Sequence, residues 1–256
     1  MTQTFLLTNA ADAPQASATG LPCGFLCYRI TDQGVLQRTP LPRTTRGGLL
    51  GLMDAPVLPE SALPRLRQAL LAECRRRGYR GIIADLPAPS ACALIPALTG
   101  LCQQGYAVFL PPDAAATLPE SRVILPGLLS GGRFESMLDS YAETWGKDRL
   151  CLDLQRCRHR FSMPCTDPRG QPLSRAELLA LCSACRPNVF FSSALCTQYF
   201  TLRHPDTGWQ LILFDDVSSA SQRIQRAACW GVPTCFLLYA EWGKDAGDIA
   251  RAAQKK

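Results

Sequence analysis

The residues Gly81-Ile-Ile-Ala-Asp-Leu-Pro87 form a short apolar run that ends in one carboxylate, Asp85. Just upstream, residues 61–78 have apolar side chains at helical spacing, and their arginines fall on the opposite face. Ser61 is a suitable N-cap for this helix and Gly78 a suitable C-cap. A helix that leads directly into a buried strand is the repeating unit of parallel α/β folds, in which the chemistry gathers where the strands end.

Helices and short apolar runs alternate along the rest of the chain. Further helices are predicted over 134–145, 174–185 and 219–230, and the last two begin with the capping-box patterns Ser174-x-x-Glu177 and Ser219-x-x-Gln222. The candidate strands are the apolar runs at 5–8, 24–30, 49–53, 81–85, 107–110, 123–125, 150–154, 189–191, 211–214 and 235–239.

These ten runs are two more than an eight-stranded barrel needs. The N-terminal pair fits a barrel least well, and Gly34 favours a turn that folds the second run back on itself. We therefore predict an α/β fold, a single (β/α)8 TIM-type barrel domain over residues 1–256, and we expect any irregular strands to lie at the N-terminus.

Composition and charge limit the classes of partner. The 256 residues, of which 47% are hydrophobic, suffice for one large core, and the net charge of +6 comes from scattered arginines rather than a dense basic run, which argues against a nucleic-acid partner. No run approaches the roughly 18 apolar residues of a membrane span, and the N-terminus lacks the pattern of a signal peptide. Thirteen cysteines, an odd number, favour reduced thiols. We expect a cytoplasmic protein; its oligomeric state is left open.

Acidic residues stand at or just past the C-terminal ends of the apolar runs, the edge at which TIM barrels build their active sites. Most carboxylates in such places cap a helix or hold a loop. Asp85 is the strongest candidate for a site role because it lies within the end of its strand. The full set is Asp54, Asp85, Asp113, Asp153, Asp215, Asp216 and Glu241.

Two segments resemble glycoside hydrolase family 18, over roughly residues 48–242. In that family a helix leads to a strand with the pattern Gly-x-Asp-x-Asp-x-Glu, and a later Phe-x-Asp-x-x-Ser segment opens the helix before the last barrel strand. The second pattern is matched by Phe214-Asp-Asp-Val-Ser-Ser219. In the first, Gly81 and Asp85 match, Ile83 replaces the first aspartate and Pro87 occupies the place of the glutamate.

The resemblance implies a substrate-assisted mechanism, in which the glutamate protonates the leaving oxygen while the substrate's own N-acetyl carbonyl attacks the sugar. It implies that Asp85 orients an acetamido group and that Tyr239 and Trp242 lie under the sugar. Asp113 and Asp215 are predicted to contact the ligand because they stand at strand ends. Proline has no proton to donate. The expected ligand is an N-acetylglucosamine-containing glycan, and no cofactor or metal is expected. Because Pro87 replaces the general-acid glutamate, we expect the protein to be catalytically impaired.

Two alternatives remain open at this point. In the first, the protein is an active glycoside hydrolase in which Glu241, Asp153 or Asp54 has taken over as the acid. In the second, it is a barrel enzyme with a phosphate ligand, bound at a nest in residues 128–133 around Gly131 and Gly132. Chemistry of the Ser-His-Asp type is disfavoured, because neither histidine lies near a nucleophile-elbow sequence.

Overall fold

The computed structural model describes residues 2–42, 45–128, 131–165, 167–204 and 208–254. Its strands are β1 (Gln3–Thr8), β2 (Cys23–Ile30), β3 (Leu36–Arg38), β4 (Leu49–Asp54), β5 (Gly81–Ile83), β6 (Ala107–Leu110), β7 (Arg122–Pro126), β8 (Leu150–Asp153), β9 (Arg158–Ser162), β10 (Gln171–Pro172), β11 (Phe190–Ser192), β12 (Thr197–His204), β13 (Gly208–Phe214) and β14 (Thr234–Leu238). Its helices are α1 (Ala13–Ala18), α2 (Leu63–Arg77), α3 (Ala88–Ala93), α4 (Ile95–Cys102), α5 (Pro112–Ala115), α6 (Phe134–Trp145), α7 (Arg175–Cys185), α8 (Val217–Cys229), α9 (Tyr239–Trp242) and α10 (Asp245–Gln254).

Eight parallel strands close into a barrel in the order β1, β2, β4, β5, β6, β7, β8, β14 and back to β1. The closure is made by β1, which pairs with β14 through Phe5 and Phe236 and with β2 through Leu6 and Cys23. Helices are interleaved between the strands. The predicted TIM-type barrel is confirmed.

The sequence left open which two of the ten apolar runs are surplus, and the N-terminal pair was the most doubtful. Both N-terminal runs are barrel strands, and the irregularity there is a shift of register near Leu26 and a hairpin to β3, whose turn contains Gly34 with φ +70°. The surplus runs at 189–191 and 211–214 instead belong to an antiparallel sheet, in the order β10, β9, β13, β12, β11, which is inserted between β8 and α8.

Apolar side chains fill the inside of the barrel. They form a cluster that contains Phe5, Leu7, Leu49, Ile83, Phe109, Ile124, Cys151 and Phe236. At the N-terminal end of the strands, Arg122 donates a 2.6 Å hydrogen bond to Thr234 Oγ1 and its guanidinium lies 5.4 Å from the centre of the Phe109 ring. The interior is therefore packed at its middle and at its N-terminal end, and open space is left at the C-terminal ends of the strands.

The helix ends differ in detail from the sequence expectation. Gly78 ends α2 with φ +67°, as predicted, but α2 follows a 3-10 turn over Glu60–Ala62, so Ser61 does not cap it. The capping box of Ser174 and Glu177 on α7 is confirmed. On α8 the box is formed by Asp216 and Ser219, because the helix begins at Val217 rather than after Ser219.

Within the described residues, no helix combines the length and the apolar character that a membrane crossing requires. All thirteen cysteines are free thiols.

Candidate functional site

A cavity of about 440 Å3 opens at the C-terminal ends of the barrel strands. Its floor and walls are mostly apolar, and a few polar side chains project into it, which is the usual composition of a small-molecule site. The apolar lining is formed by Leu7, Leu26, Leu52, Met53, Ile83, Ile124, Phe236, Leu238 and Ala240. The polar lining is formed by Thr8, Asn9, Asp12, Asp85 and Asp153.

Asp85 lines the cavity, but it lies two residues past the end of β5 and not within the strand as predicted, because the strand pairing ends at Ile83. Ile83 and Asp85 both face the cavity, and Ile83 is also buried in the barrel core. Gly81 starts the strand against β6, where a Cβ would collide with the carbonyl oxygen of Ala107. This close strand pairing explains the glycine of the motif.

The Asp85 carboxylate is open to the cavity, but it accepts no hydrogen bond and forms no ion pair within the described part of the chain. The Asp85 side chain is exposed at the mouth of the cavity, and the cavity walls keep it only partly out of bulk water. This burial, with no compensating donor, raises the pKa of Asp85 above its ordinary value. Asp85 is therefore a carboxylate that a bound ligand could supply with hydrogen bonds.

Asp153 ends β8 and lines the same cavity, with β6 and β7 between its strand and that of Asp85. Gln155 Nε2 donates a 3.1 Å hydrogen bond to its Oδ2. Burial is the main cause that raises the pKa of Asp153 from 3.8 to about 6; the negative charges of Glu241 and Asp85 contribute to this rise, and the hydrogen bond from Gln155 opposes it. The cavity thus holds two carboxylates with raised pKa values, as expected of acid–base groups in a functional site.

Glu241 lies on α9, and its carboxylate is occupied by the protein. Glu241 Oε2 accepts a 2.9 Å hydrogen bond from the backbone N–H of Arg156, and Arg156 Nη1 lies 3.2 Å from the Glu241 carbonyl oxygen and 3.3 Å from Asp245 Oδ2. These contacts hold α9 to the loop after β8. Glu241 does not line the cavity, although it is near enough to Asp153 to raise the pKa of that group.

The two aromatic residues predicted to contact a sugar lie outside the cavity lining. Trp242 is only 2% exposed, its indole N–H donates a 3.0 Å hydrogen bond to the Leu154 carbonyl oxygen, and the Arg156 guanidinium lies 4.8 Å from its ring centre. Tyr239 is half-buried and packs against the core outside the barrel. The aromatic side chain that reaches the cavity is Phe236, two residues before the end of β14.

Asp54 and Asp113 are exposed and do not line the cavity. Asp54 ends β4, where the preceding residue Met53 contributes to the lining, and Asp113 lies in the first turn of α5. Both therefore stand at the barrel's C-terminal edge without reaching the space in which Asp85 lies.

Asp215 is 2% exposed and is held by the protein on all sides. It accepts hydrogen bonds from the backbone N–H of Cys157 at 2.7 Å and from the hydroxyl groups of Thr197 and Ser219 at 2.9 Å, and it forms an ion pair with the buried Arg223. Arg223 in turn donates a 3.0 Å hydrogen bond to the Gly127 carbonyl oxygen. This network joins the antiparallel sheet to α8 and to the loop after β7.

Sequence reasoning missed the contribution of the first strand. Asp12 lines the cavity and is tied to Asn9, whose side chain donates a 3.1 Å hydrogen bond to Asp12 Oδ2 and accepts a 2.9 Å bond from the Asp12 backbone N–H. The signal is present in the sequence, since Asn9-x-x-Asp12 directly follows the apolar run at 5–8, but that run was one of the two most doubtful barrel strands.

Pro87 lies just outside the cavity lining. It is exposed, has an extended backbone with φ −51° and ψ 140°, and precedes α3, where its carbonyl oxygen accepts a 3.0 Å hydrogen bond from the Ala91 N–H. The place of the family's glutamate is thus filled by a residue that carries no ionisable group.

The described residues provide no candidate metal site, and they include the predicted phosphate nest only in part. Among the residues that the structure describes, no three His, Cys, Asp or Glu side chains are grouped so that they could hold a metal ion. Of the nest at 128–133, residues 129 and 130 lie outside the described residues.

The raised pKa of Asp153 predicts a pH-dependent stability effect. A carboxyl group whose pKa is higher in the folded state, about 6 against 3.8, stabilises the fold at low pH, and this contribution is lost as pH rises through the interval from about 4 to 6. Asp153→Asn should therefore raise the melting temperature at pH 7.5 by a few degrees, for an effect of about 1–2 kcal/mol after allowance for partial exposure to water. The gain should nearly vanish at pH 4.

Melting curves of the wild type and Asp153→Asn at both pH values check this. Asp148→Asn, an exposed aspartate just before the opposite end of β8, is the matched control and should show no such pH-dependent difference. An equal shift of Asp153→Asn at pH 4 and pH 7.5 would contradict the assignment.

No protein-family model matches the chain, and no curated protein sequence matches it. Solved structures do match it, at low sequence identity. The spore cortex-lytic enzyme SleL of Bacillus megaterium QM B1551 superposes with a TM-score of 0.68 and 10% identity, over 99% of this chain and 74% of that one.

Two chitinases match as well. The chitinase of Chromobacterium violaceum ATCC 12472 has a TM-score of 0.65 and 11% identity, with 100% of both chains covered. The GH18 chitinase of Cycas revoluta, solved in complex with (GlcNAc)3, has a TM-score of 0.64 and 11% identity, with 98% of both chains covered. The chain thus has, over its whole length, the fold of chitinases and spore cortex-lytic enzymes, and at these identities the likeness concerns the fold alone.

Proposed function

We propose that the cavity at the barrel mouth binds an N-acetylglucosamine-containing glycan, and that the protein is catalytically impaired. The observation that carries this proposal is Asp85, which lines the cavity just past β5, the strand with the resemblance to family 18, and which receives no hydrogen bond from the residues that the structure describes. The fold shared with chitinases supports the same class of ligand, since one of these, the Cycas revoluta enzyme, was solved with (GlcNAc)3.

The catalytic part of the proposal rests on Pro87. The family's acid would stand at this position, and proline has no proton to give to a leaving oxygen. The loss of a general acid typically lowers a rate by about 10²–10⁴. We accordingly propose that the protein binds its glycan and turns it over slowly or not at all, and that it does so in the cytoplasm, which its thirteen free thiols support.

A second candidate function is favoured by the position of Asp153, which lines the same cavity as Asp85 and whose burial raises its pKa to about 6. A carboxylic acid with such a pKa, in the same cavity as Asp85, has the property of a general acid that works near neutral pH. In this candidate, Asp153 replaces the missing glutamate. Glu241 is less suitable because it already accepts a hydrogen bond from Arg156, and Asp54 does not reach the cavity.

Calorimetric titration with chitotetraose tests the binding proposal. The wild type should bind the oligosaccharide, Asp85→Asn should bind it at least tenfold more weakly because the amide cannot replace a charged acceptor, and Asp148→Asn should bind it like the wild type. If the wild type does not bind chitotetraose, or if Asp85→Asn binds it as well as the wild type, the proposal is wrong.

Hydrolysis of a chromogenic chito-oligosaccharide separates the two candidates. Turnover by the wild type that is lost in Asp153→Asn and kept in Asp148→Asn would establish the second candidate in place of the first. The phosphate alternative predicts that inorganic phosphate raises the melting temperature while chitotetraose does not.

A further inference from the structure

The charges that line the cavity all have the same sign. Asp12, Asp85 and Asp153 project into it, and the part of the chain that the structure describes contributes no lysine, arginine or histidine to its lining. This is unusual for a chain whose formal net charge is +6. The guanidinium of Arg156, in the loop after β8, donates hydrogen bonds to the Glu241 carbonyl oxygen and to Asp245 and lies over the Trp242 ring.

The three carboxylates are not equally satisfied. Asp12 accepts a hydrogen bond from Asn9 and Asp153 accepts one from Gln155, but neither partner carries a charge. Asp85 accepts none from any described residue. The negative charge of Asp85 and Asp153 therefore has no protein counter-charge inside the cavity, and the repulsion between the two contributes to the raised pKa of Asp153.

The apolar floor and the volume of the cavity are suited to a sugar ring. Its apolar floor, which includes Ile83, Phe236 and Leu238, suits the apolar face of a pyranose ring, and about 440 Å3 is within the range of pockets for ligands of one or two sugar units. In surroundings with few polar groups, a charge pair is stronger than in bulk water. A cationic group on such a ring would be attracted by both carboxylates.

We infer that the sugar unit held in the cavity is a glucosamine with a free ammonium group, rather than an N-acetylglucosamine. The inference rests on the proposed function, because it specifies which unit of the glycan the cavity holds. The acetamido group of N-acetylglucosamine is neutral and can offer Asp85 one N–H donor, whereas an ammonium offers three donors and the missing positive charge. The preferred ligand class is accordingly a de-N-acetylated or partly de-N-acetylated glycan.

Two tetrasaccharides, chitotetraose and its fully de-N-acetylated form, the glucosamine tetramer, test this by calorimetric titration near pH 6.5. The glucosamine tetramer should bind at least tenfold more tightly, and this preference should shrink at high salt because screening weakens charge pairs. Asp85→Asn and Asp153→Asn should each reduce the preference severalfold, while Asp148→Asn should keep it. Non-specific attraction of the cationic sugar is opposed by the net charge of the protein.

The outcomes distinguish this inference from the proposed function. Equal or tighter binding of chitotetraose would overturn the inference and leave the proposed function intact. Absence of binding of both tetrasaccharides would overturn both. A preference for the glucosamine tetramer that persists in Asp85→Asn and Asp153→Asn would also overturn the inference, because the cavity carboxylates would then not be its source.

Discussion

Replacing Pro87 with glutamate is expected to raise the rate of chito-oligosaccharide hydrolysis by about 10²–10⁴, the usual contribution of a general acid. Pro87 stands two residues after Asp85, at the place where the resembled family carries its acid. The site tolerates the change, because Pro87 is exposed, its extended backbone suits any residue, and no hydrogen bond from its nitrogen exists to be lost. A negative side chain just before α3 is also compatible with the helix dipole.

Two further variants control this experiment. Pro87→Gln has a side chain of the same size without an acidic proton and should remain at the wild-type rate. Adding Asp85→Asn to Pro87→Glu should remove most of the gain, because in an N-acetylated substrate Asp85 would orient the acetamido group that attacks the sugar. Equal rates for Pro87→Glu and Pro87→Gln would show that position 87 does not supply the missing acid.

Asp215→Ala is expected to destabilise the protein by about 3–5 kcal/mol, the usual cost of leaving a buried charge without its partner. Arg223, which is 2% exposed, would lose its counter-charge, and the N–H of Cys157 and the hydroxyl groups of Thr197 and Ser219 would lose a shared acceptor. At roughly 2–4 °C for each kcal/mol in a chain of this size, the melting temperature should fall by roughly 6–20 °C.

The neighbouring Asp216 provides the comparison. It caps α8 and accepts a 2.8 Å hydrogen bond from the Ser219 N–H, so Asp216→Ala should lower the free energy of unfolding by only about 1 kcal/mol.

The double variant Asp215→Ala with Arg223→Ala removes both charges of the ion pair. Its loss of unfolding free energy should therefore be smaller than the sum of the losses of the two single variants. A melting temperature of Asp215→Ala equal to that of Asp216→Ala would contradict the structural role of the ion pair.

The barrel could be predicted because parallel strands covered on both sides appear in the sequence as continuous apolar runs. The inserted antiparallel sheet could not be found in the same way. Strand β9 is polar except for Phe161, and β12 mixes polar with apolar residues, so neither forms an apolar run. Of the other strands, only fragments at 189–191 and 211–214 appear as apolar runs. In the sequence these fragments look like barrel strands. The two true N-terminal strands therefore look surplus.

The same limit applies to the site. Asp85 and Asp153 could be predicted from their positions at strand ends, since the C-terminal ends of all barrel strands meet at one edge. The surroundings of Trp242, Glu241 and Asp215 could not be predicted. They depend on contacts with Arg156 and Arg223, which come together with these residues only in the folded protein. The sequence shows that an acidic residue stands at a strand end. It does not show whether its side chain lines the cavity or forms an ion pair with an arginine.

A crystal structure of the protein with a bound chito-oligosaccharide, N-acetylated or de-N-acetylated, would examine the proposed ligand site most directly. The expected result is one sugar unit inside the cavity, over Ile83 and Phe236, with a nitrogen or hydroxyl group of the sugar within about 2.6–3.2 Å of the Asp85 carboxylate. Sugar bound elsewhere, with this cavity unoccupied or Asp85 out of reach of the ligand, would contradict the account.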